Sequence, residues 1–231
     1  MLHTTRAIVL RTIRHGDRTT VLKAYTERSG LRSYMVRAGG RSGMRAALLS
    51  PLARLELVEQ ERTAHDLHHV REARIEAPMA NPGDPTRSAV LLFTQDILLR
   101  TLKEESHDIT LFQFVHDHIG RTAEAAPDPY AVVNFLLDLS RHLGFQPSAP
   151  ETSEVNFDLL EGCFVPGEAP SGHTLRPPLS TGLAALIAEQ PPGLTPTQRS
   201  DLLDHLLLYY RLHVEGFGEL RSLEVLRQLL A

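Results

Sequence analysis

The sequence predicts an α+β protein: a small closed β-barrel over residues 1–77, then a mainly α-helical region over 78–231. Three observations carry this. Short β-branched runs separated by turn residues fill the first third. A break follows at Pro78 and Asn81-Pro82-Gly83-Asp84-Pro85, the sharpest punctuation in the chain. Beyond it, apolar residues recur at helical spacing.

Residues 6–14, Arg-Ala-Ile-Val-Leu-Arg-Thr-Ile-Arg, form the first expected strand and end at the His15-Gly16-Asp17 turn. Residues 19–26 read the same way, and Glu27-Arg28-Ser29-Gly30 turns the chain into a third strand over 31–37. There Leu31, Ser33 and Met35 share one face, and Arg32, Tyr34 and Val36 the other. A Gly-rich basic stretch, Ala38-Gly39-Gly40-Arg41-Ser42-Gly43-Met44-Arg45, comes next. In the fourth strand Ala53, Leu55 and Leu57 alternate with Arg54, Glu56 and Val58, and residues 67–76 supply a fifth. Five short strands in about 75 residues fit a closed barrel of the OB or SH3-like kind.

In the helical region, Asp84 or Thr86 caps a helix with the stripe Val90, Leu91, Phe93, Ile97, Leu98 and Leu102. Residues 108–121 form a second, around Ile109, Phe112, Val115 and Ile119. A third carries Val132, Val133, Leu136, Leu139 and Leu143, and stops at Gly144. Nine of the fifteen prolines lie within 146–196, so this insert is expected to be largely irregular. It holds a hairpin of 157–159 with 163–165 and a short helix near 181–189. Thr195, Pro196 and Gln198 spell a capping box for a helix reaching about Val214, and Ser222 caps a last short helix.

At 42% hydrophobic and 23% charged residues, the composition is globular. No apolar run reaches the ~20 residues of a membrane-spanning helix. The first residues lack the apolar core and cleavage site of a secretory signal. One cysteine, Cys163, excludes an internal disulfide and a multi-cysteine zinc site. A soluble, cytoplasmic protein is expected. The net charge of −4 is unevenly spread: residues 1–54 hold eleven basic residues and two acids, a net of +9, leaving −13 for 55–231. That asymmetry predicts a polyanion-binding module joined to an acidic region.

Seven arginines are the candidate nucleic-acid-binding residues. Arg11, Arg14 and Arg18 bracket the first turn, Arg32 lies in the third strand, and Arg37, Arg41 and Arg45 surround the Gly-rich stretch. Backbone N–H groups of such a stretch can cradle phosphate. It has neither Walker A nor dinucleotide spacing. Its Gly40-Arg41-Ser42-Gly43 follows a strand, whereas a KH loop joins two helices. All eight phenylalanines lie at 93 or later, which leaves Tyr25 and Tyr34 as the barrel's aromatics, for packing or for stacking. Binding is therefore expected to rest on phosphates, to depend weakly on sequence and to fall steeply with salt. The histidine clusters, His65, His68 and His69 and then His116-Asp117-His118, are expected to be solvated or core-edge residues. Residues two apart on a helix do not share a face, so His116 and His118 should not converge on a metal. No paired-carboxylate, His-Glu-x-x-His or Gly-x-Ser-x-Gly pattern occurs, so neither an enzyme nor a cofactor is expected.

Several segments recur in a recognisable order. They are Thr5-Arg6-Ala7-Ile8-Val9-Leu10-Arg11-Thr12, the Gly16-Asp17-Arg18 turn, and Tyr25-Thr26-Glu27-Arg28-Ser29-Gly30. Later come Phe135-Leu136-Leu137-Asp138-Leu139-Ser140-Arg141-His142-Leu143-Gly144-Phe145, and Phe157-Asp158-Leu159 with Gly162-Cys163-Phe164-Val165. Tyr209-Tyr210-Arg211-Leu212-His213 with Gly216-Phe217-Gly218-Glu219-Leu220-Arg221-Ser222 closes the series. Across nearly the whole chain this set resembles the RecO family of recombination mediators. The resemblance implies an OB-fold barrel, no catalytic residues, and binding of single- and double-stranded DNA with annealing of complementary strands. It implies RecR and the single-stranded DNA-binding protein as partners, RecF and RecA as indirect ones, and a cytoplasmic, nucleoid-associated location. Many members carry a four-cysteine zinc element after the Leu-Gly-Phe segment. Here Gln146-Pro147-Ser148-Ala149-Pro150 stands in its place, so the chain resembles the zinc-less branch. The acidic helical region is assigned to protein partners, with residues 197–214 and the Arg221 segment as the docking candidate. The competing class is an RNA-binding OB protein of translation or ribosome assembly.

Overall fold

The long first strand, β1 (Leu2–Arg14), has two partners. Its first half pairs antiparallel with β4 (Arg54–Gln60) and its second half with β2 (Thr19–Thr26). β2 pairs with β3 (Gly30–Arg37), which reaches β5 (His68–Ala77) through a parallel step, and β5 returns antiparallel to β4. The order β1-β2-β3-β5-β4 closes into a barrel, the five-stranded OB arrangement. This computed structural model describes residues 2–15, 19–37, 50–60, 68–77, 83–104, 107–124, 128–151 and 155–230. β1 begins four residues before the expected strand because Leu2 to Thr5 pair with Gln60 to Leu57.

Ala7, Val9, Leu22, Ala24, Tyr34, Val36, Leu55 and Leu57 fill the barrel, the inward set that period-2 alternation selects. Ile8 is equally buried on the other face. It lies beside its cross-strand neighbour Tyr25, whose ring meets Phe112 at 5.7 Å. Phe112 belongs to α2 (Ile109–Glu124), which follows α1 (Pro85–Thr101). Asp84 caps α1 by accepting from the Arg87 N–H at 3.1 Å, with Pro85 at the first helical position. Asp108 accepts from the Leu111 N–H at 2.9 Å ahead of α2. Both helices belong to the barrel's own compact unit, Met1–Ala126; the other unit is Pro127–Ala231. The break at 78–85 marks the change from strand to helix, while the compact units part at Ala126. The reason is docking on the barrel: besides the Tyr25–Phe112 contact, Gln95 Nε2 donates to the Leu10 carbonyl at 2.5 Å, and just after α1 the backbone of Glu104 forms a parallel bridge with Leu31.

The second unit begins with α3 (Ala131–Leu143), ended by Gly144 at φ 84, the left-handed conformation a C-terminal glycine supplies. A three-stranded sheet of order β7-β6-β8 follows, from β6 (Asn156–Asp158), β7 (Cys163–Val165) and β8 (Thr174–Leu175). Then come α4 (Leu179–Ile187), α5 (Pro196–His213) and α6 (Leu223–Leu230). α5 carries the full capping box of Thr195 and Gln198. The Pro-rich insert is largely irregular and holds the expected hairpin and short helix; it adds β8, two residues long and too short to show a period, and α4 starts directly after Pro178. Phe145, Phe157, Phe164, Tyr209 and Tyr210 gather into one aromatic core, with Phe157 and Phe164 at 5.0 Å and Phe145 and Tyr210 at 5.0 Å. Tyr209 donates to the Phe145 carbonyl, and Tyr210 to that of Leu136 at 2.6 Å. Both tyrosines are buried, so the 197–214 docking candidate loses them to the core. Gly162 has φ 69, and a Cβ there would stand 2.8 Å from the Tyr209 hydroxyl.

Candidate nucleic-acid interface

Arg11 and Arg14 stand at the far end of β1, along the edge of the sheet that β2 and β3 continue. A β-bulge between Val9 and Arg11 re-aims the strand. Beyond it every residue of 11–15 is exposed, on both faces. The register sets Arg11 opposite Lys23 and Arg14 opposite Thr20. Arg11 and Ile13 therefore share one face of the β1–β2 ribbon with Lys23 and Val21, while Thr12 and Arg14 share the other with Leu22 and Thr20. Ile13 is 48% exposed. Arg32 lies opposite Ala24 on Arg14's face but four residues along β3 from Val36, the residue in Arg14's row. It is half-buried, and its Nε has no hydrogen-bond partner among the described residues. Arg37 ends β3 opposite Thr19. Arg18, Arg41 and Arg45 lie outside the described residues. Thus Arg11 and Arg14, three residues apart, point to opposite sides, and Arg32 stands apart from both.

Other cations of the basic first quarter serve the fold. Arg6 donates to both Glu27 oxygens at 3.0 and 2.5 Å and to Gln113 Oε1 at 2.8 Å, with its guanidinium 5.4 Å from the centre of the Phe112 ring. The Glu27 hydrogen bond holds the Arg6 pKa above its ordinary value, and the Arg6 hydrogen bond holds that of Glu27 below. Lys23 pairs with Glu104 at 2.9 Å. The Arg54 guanidinium lies against Gly120 of α2, 2.8 Å from where a Cβ would be. A net-charge sum counts these residues alike with Arg11 and Arg14, which is why the sequence does not separate them.

OB-folds bind oligonucleotides on the face of strands 2 and 3 and on the adjoining loops. Here that face is half covered. Tyr25 and Leu31 are buried beneath Phe112 and Glu104 respectively, and the open half runs through Arg11, Ile13, Val21, Ser33 and Met35. Among the described residues this half holds no Phe or Tyr; its nearest ring is the imidazole of His69, paired beside Met35. Tyr34 is also buried; its hydroxyl donates to Glu59 at 2.6 Å. Burial first, and that bond second, push the Tyr34 pKa well above its ordinary value. Packing, not stacking, is the role of both tyrosines.

The α2 histidines diverge as the helical spacing requires. His116 Nε2 lies 3.0 Å from Glu76 and its Nδ1 3.5 Å from Asp117, whereas His118 Nε2 lies 3.2 Å from the Thr94 hydroxyl. Burial pushes the His118 pKa down to about 4, helped by the nearby Arg121 charge. Among the described residues no group of three or more His, Cys, Asp or Glu is placed to hold a metal ion, and no helix is long and apolar enough to cross a membrane.

The fold defines an OB-barrel protein followed by a helical region. Known proteins place it further. The family model for the N-terminal part of recombination protein O matches residues 1–79, and that for its C-terminal part matches residues 82–224. DNA repair protein RecO of Christiangramia forsetii is 30% identical over 99% of both chains. Those of Phocaeicola vulgatus and Bacteroides fragilis are 28% and 30% identical, over 100% and 99% of both chains. The chain belongs to the RecO family, and its role is in DNA repair and recombination.

Proposed function

We propose that the protein is a non-enzymatic recombination mediator. It binds single- and double-stranded DNA through the barrel, anneals complementary strands, and with RecR helps load RecA onto DNA coated by the single-stranded DNA-binding protein. The observation that carries this reading is the open half of the barrel face of a RecO-family chain, which presents the exposed Arg11 and, among the described residues, no Phe or Tyr. Annealing requires two polyanions to approach while their bases stay free. Arginines neutralise phosphates, and a surface without aromatic platforms does not sequester bases by stacking. The acidic region beyond the barrel repels DNA and suits protein partners.

The decisive experiment is annealing of complementary oligonucleotides coated with the cognate single-stranded DNA-binding protein. Acceleration by the intact protein, declining steeply with added salt, is the expected result. A protein that binds neither strand nor accelerates annealing at low salt would not be a mediator of this kind.

A further inference from the structure

A groove runs along α3 in the second unit. Tyr130, Asn134, Leu137, Asp138 and Arg141 recur at three- and four-residue steps and so form one face of that helix. Leu186 and Ile187 from the end of α4, with Pro147 and Pro192, line the same groove. Its volume is about 420 Å³, within the range of about 300–1,000 Å³ of ligand-binding clefts. From residue 130 to residue 141 a helix rises about 16 Å, the span of about five residues of extended chain.

The floor is apolar: Leu137, Leu186, Ile187 and Pro192 are half-buried and Pro147 is buried. The rim is acidic. Asp138 lies 4.0 Å from Arg141, whereas Asp128 and Glu189 make no salt bridge with the described residues. The end of α4 adds to this charge. α1, α2, α3, α5 and α6 each carry an arginine in the last turn, which meets the negative end of the helix. α4 has no basic residue there, and Glu189, two residues beyond it, supplies a further anion. Glu189 has φ 55, the left-handed conformation that glycine takes at lower cost after a helix. A carboxylate is thus held at the groove against the preference of the backbone.

We infer that this groove docks an extended, basic segment of a partner protein. A lysine or arginine of that segment meets Glu189 and the end of α4, and its apolar side chains lie on Leu137, Leu186 and Ile187. The inference rests on the assignment of protein partners to the acidic region, and gives one such partner its chemistry. The groove wall is set in advance. The Tyr130 hydroxyl donates to the Leu194 carbonyl at 3.2 Å, and the Arg199 guanidinium lies 5.3 Å from the centre of the Tyr130 ring. The charges that favour a basic segment repel one rich in carboxylates.

The test uses the full chain with two fluorescein-labelled hexapeptides, one alternating leucine and lysine, the other leucine and glutamate. Anisotropy at low salt gives the affinity, and amide NMR shifts give the place. The lysine peptide should shift the amides of Asn134, Leu137, Leu186 and Glu189; the glutamate peptide should leave them in place. Glu189→Gly should weaken the lysine peptide about threefold, the worth of one exposed charge pair. It should not lower the melting temperature, because glycine accepts the left-handed backbone. Glu189→Lys, which adds repulsion, should weaken that peptide more. Groove amides that respond to neither peptide, or more to the glutamate peptide, overturn the proposal, as does unchanged affinity in both variants. Equally tight binding of spermidine, which has the charge without apolar side chains, also overturns it. Annealing of coated DNA is measured separately, so the function proposed above can stand where the groove assignment falls.

Discussion

His118 is a residue whose chemistry the fold alters within the ordinary pH range. Its pKa is pushed to about 4 by burial between α1 and α2, where it meets Thr94. The unfolded chain holds that proton with a pKa of about 6.5. The folded-state value is thus depressed for a base: its contribution is complete above the unfolded pKa and is lost as pH falls toward the folded one. From this group alone, unfolding free energy should drop by about 2 kcal/mol between pH 7 and pH 5. Urea unfolding of His118→Gln, which keeps a polar atom for Thr94 but does not titrate, should remove that part of the drop. An equal drop in both proteins would contradict the buried neutral imidazole. Among single residues, the sequence made plain what depends on type and spacing: the divergence of His116 and His118 follows from helical geometry alone. It did not separate Arg6 from Arg11, because Glu27 and Gln113, the partners that remove Arg6 from the surface, are distant in sequence. Nor did it decide Tyr34, whose buried partner Glu59 is brought to it by barrel closure.

Elements were legible wherever a cap or a period marks them. Asp84 with Pro85 and the Thr195–Gln198 box each start a helix, and Gly144 ends one, where those residues stand. The box makes a direct test. Thr195→Ala removes the hydroxyl that accepts from the Gln198 N–H, so α5 should lose about 1 kcal/mol of support. α5 carries Tyr209 and Tyr210 into the aromatic core, so the loss should register in the global unfolding midpoint of the second unit. Fraying confined to residues 195–198, with no shift in that midpoint, would mean the cap is uncoupled from the core. What escaped the sequence at this scale was β8 and the bulge in β1. Two residues define no period, and a bulge changes which face each later residue takes without changing the residue types.

For the whole molecule, the change from strand to helix at 78–85 was legible, but the docking of α1 and α2 against the barrel was not. It depends on Tyr25, Ile8 and Leu31 being apolar on the barrel's outside, which a strand pattern alone reads as a second buried face without saying what covers it. A fragment of residues 1–126 should therefore fold cooperatively and, on the function proposed above, carry the DNA binding. One of residues 1–77 uncovers that outer face and should aggregate or melt at lower temperature, as fluorescence-monitored melting and light scattering would report. Equal stability of the two fragments would show the helices to be dispensable. The barrel's joints are unequal as well. Among described residues β2 and β3 share eight aligned pairs and β1 and β4 seven, but β3 and β5 only Tyr34 with His68 and Met35 with His69. A hoop gives way at its shortest lap, and here Tyr34 at that lap reaches through the interior to Glu59 on β4. The hydroxyl and the carboxylate act as a tie-rod behind the gap, so the ring is braced from inside where its rim is least sewn.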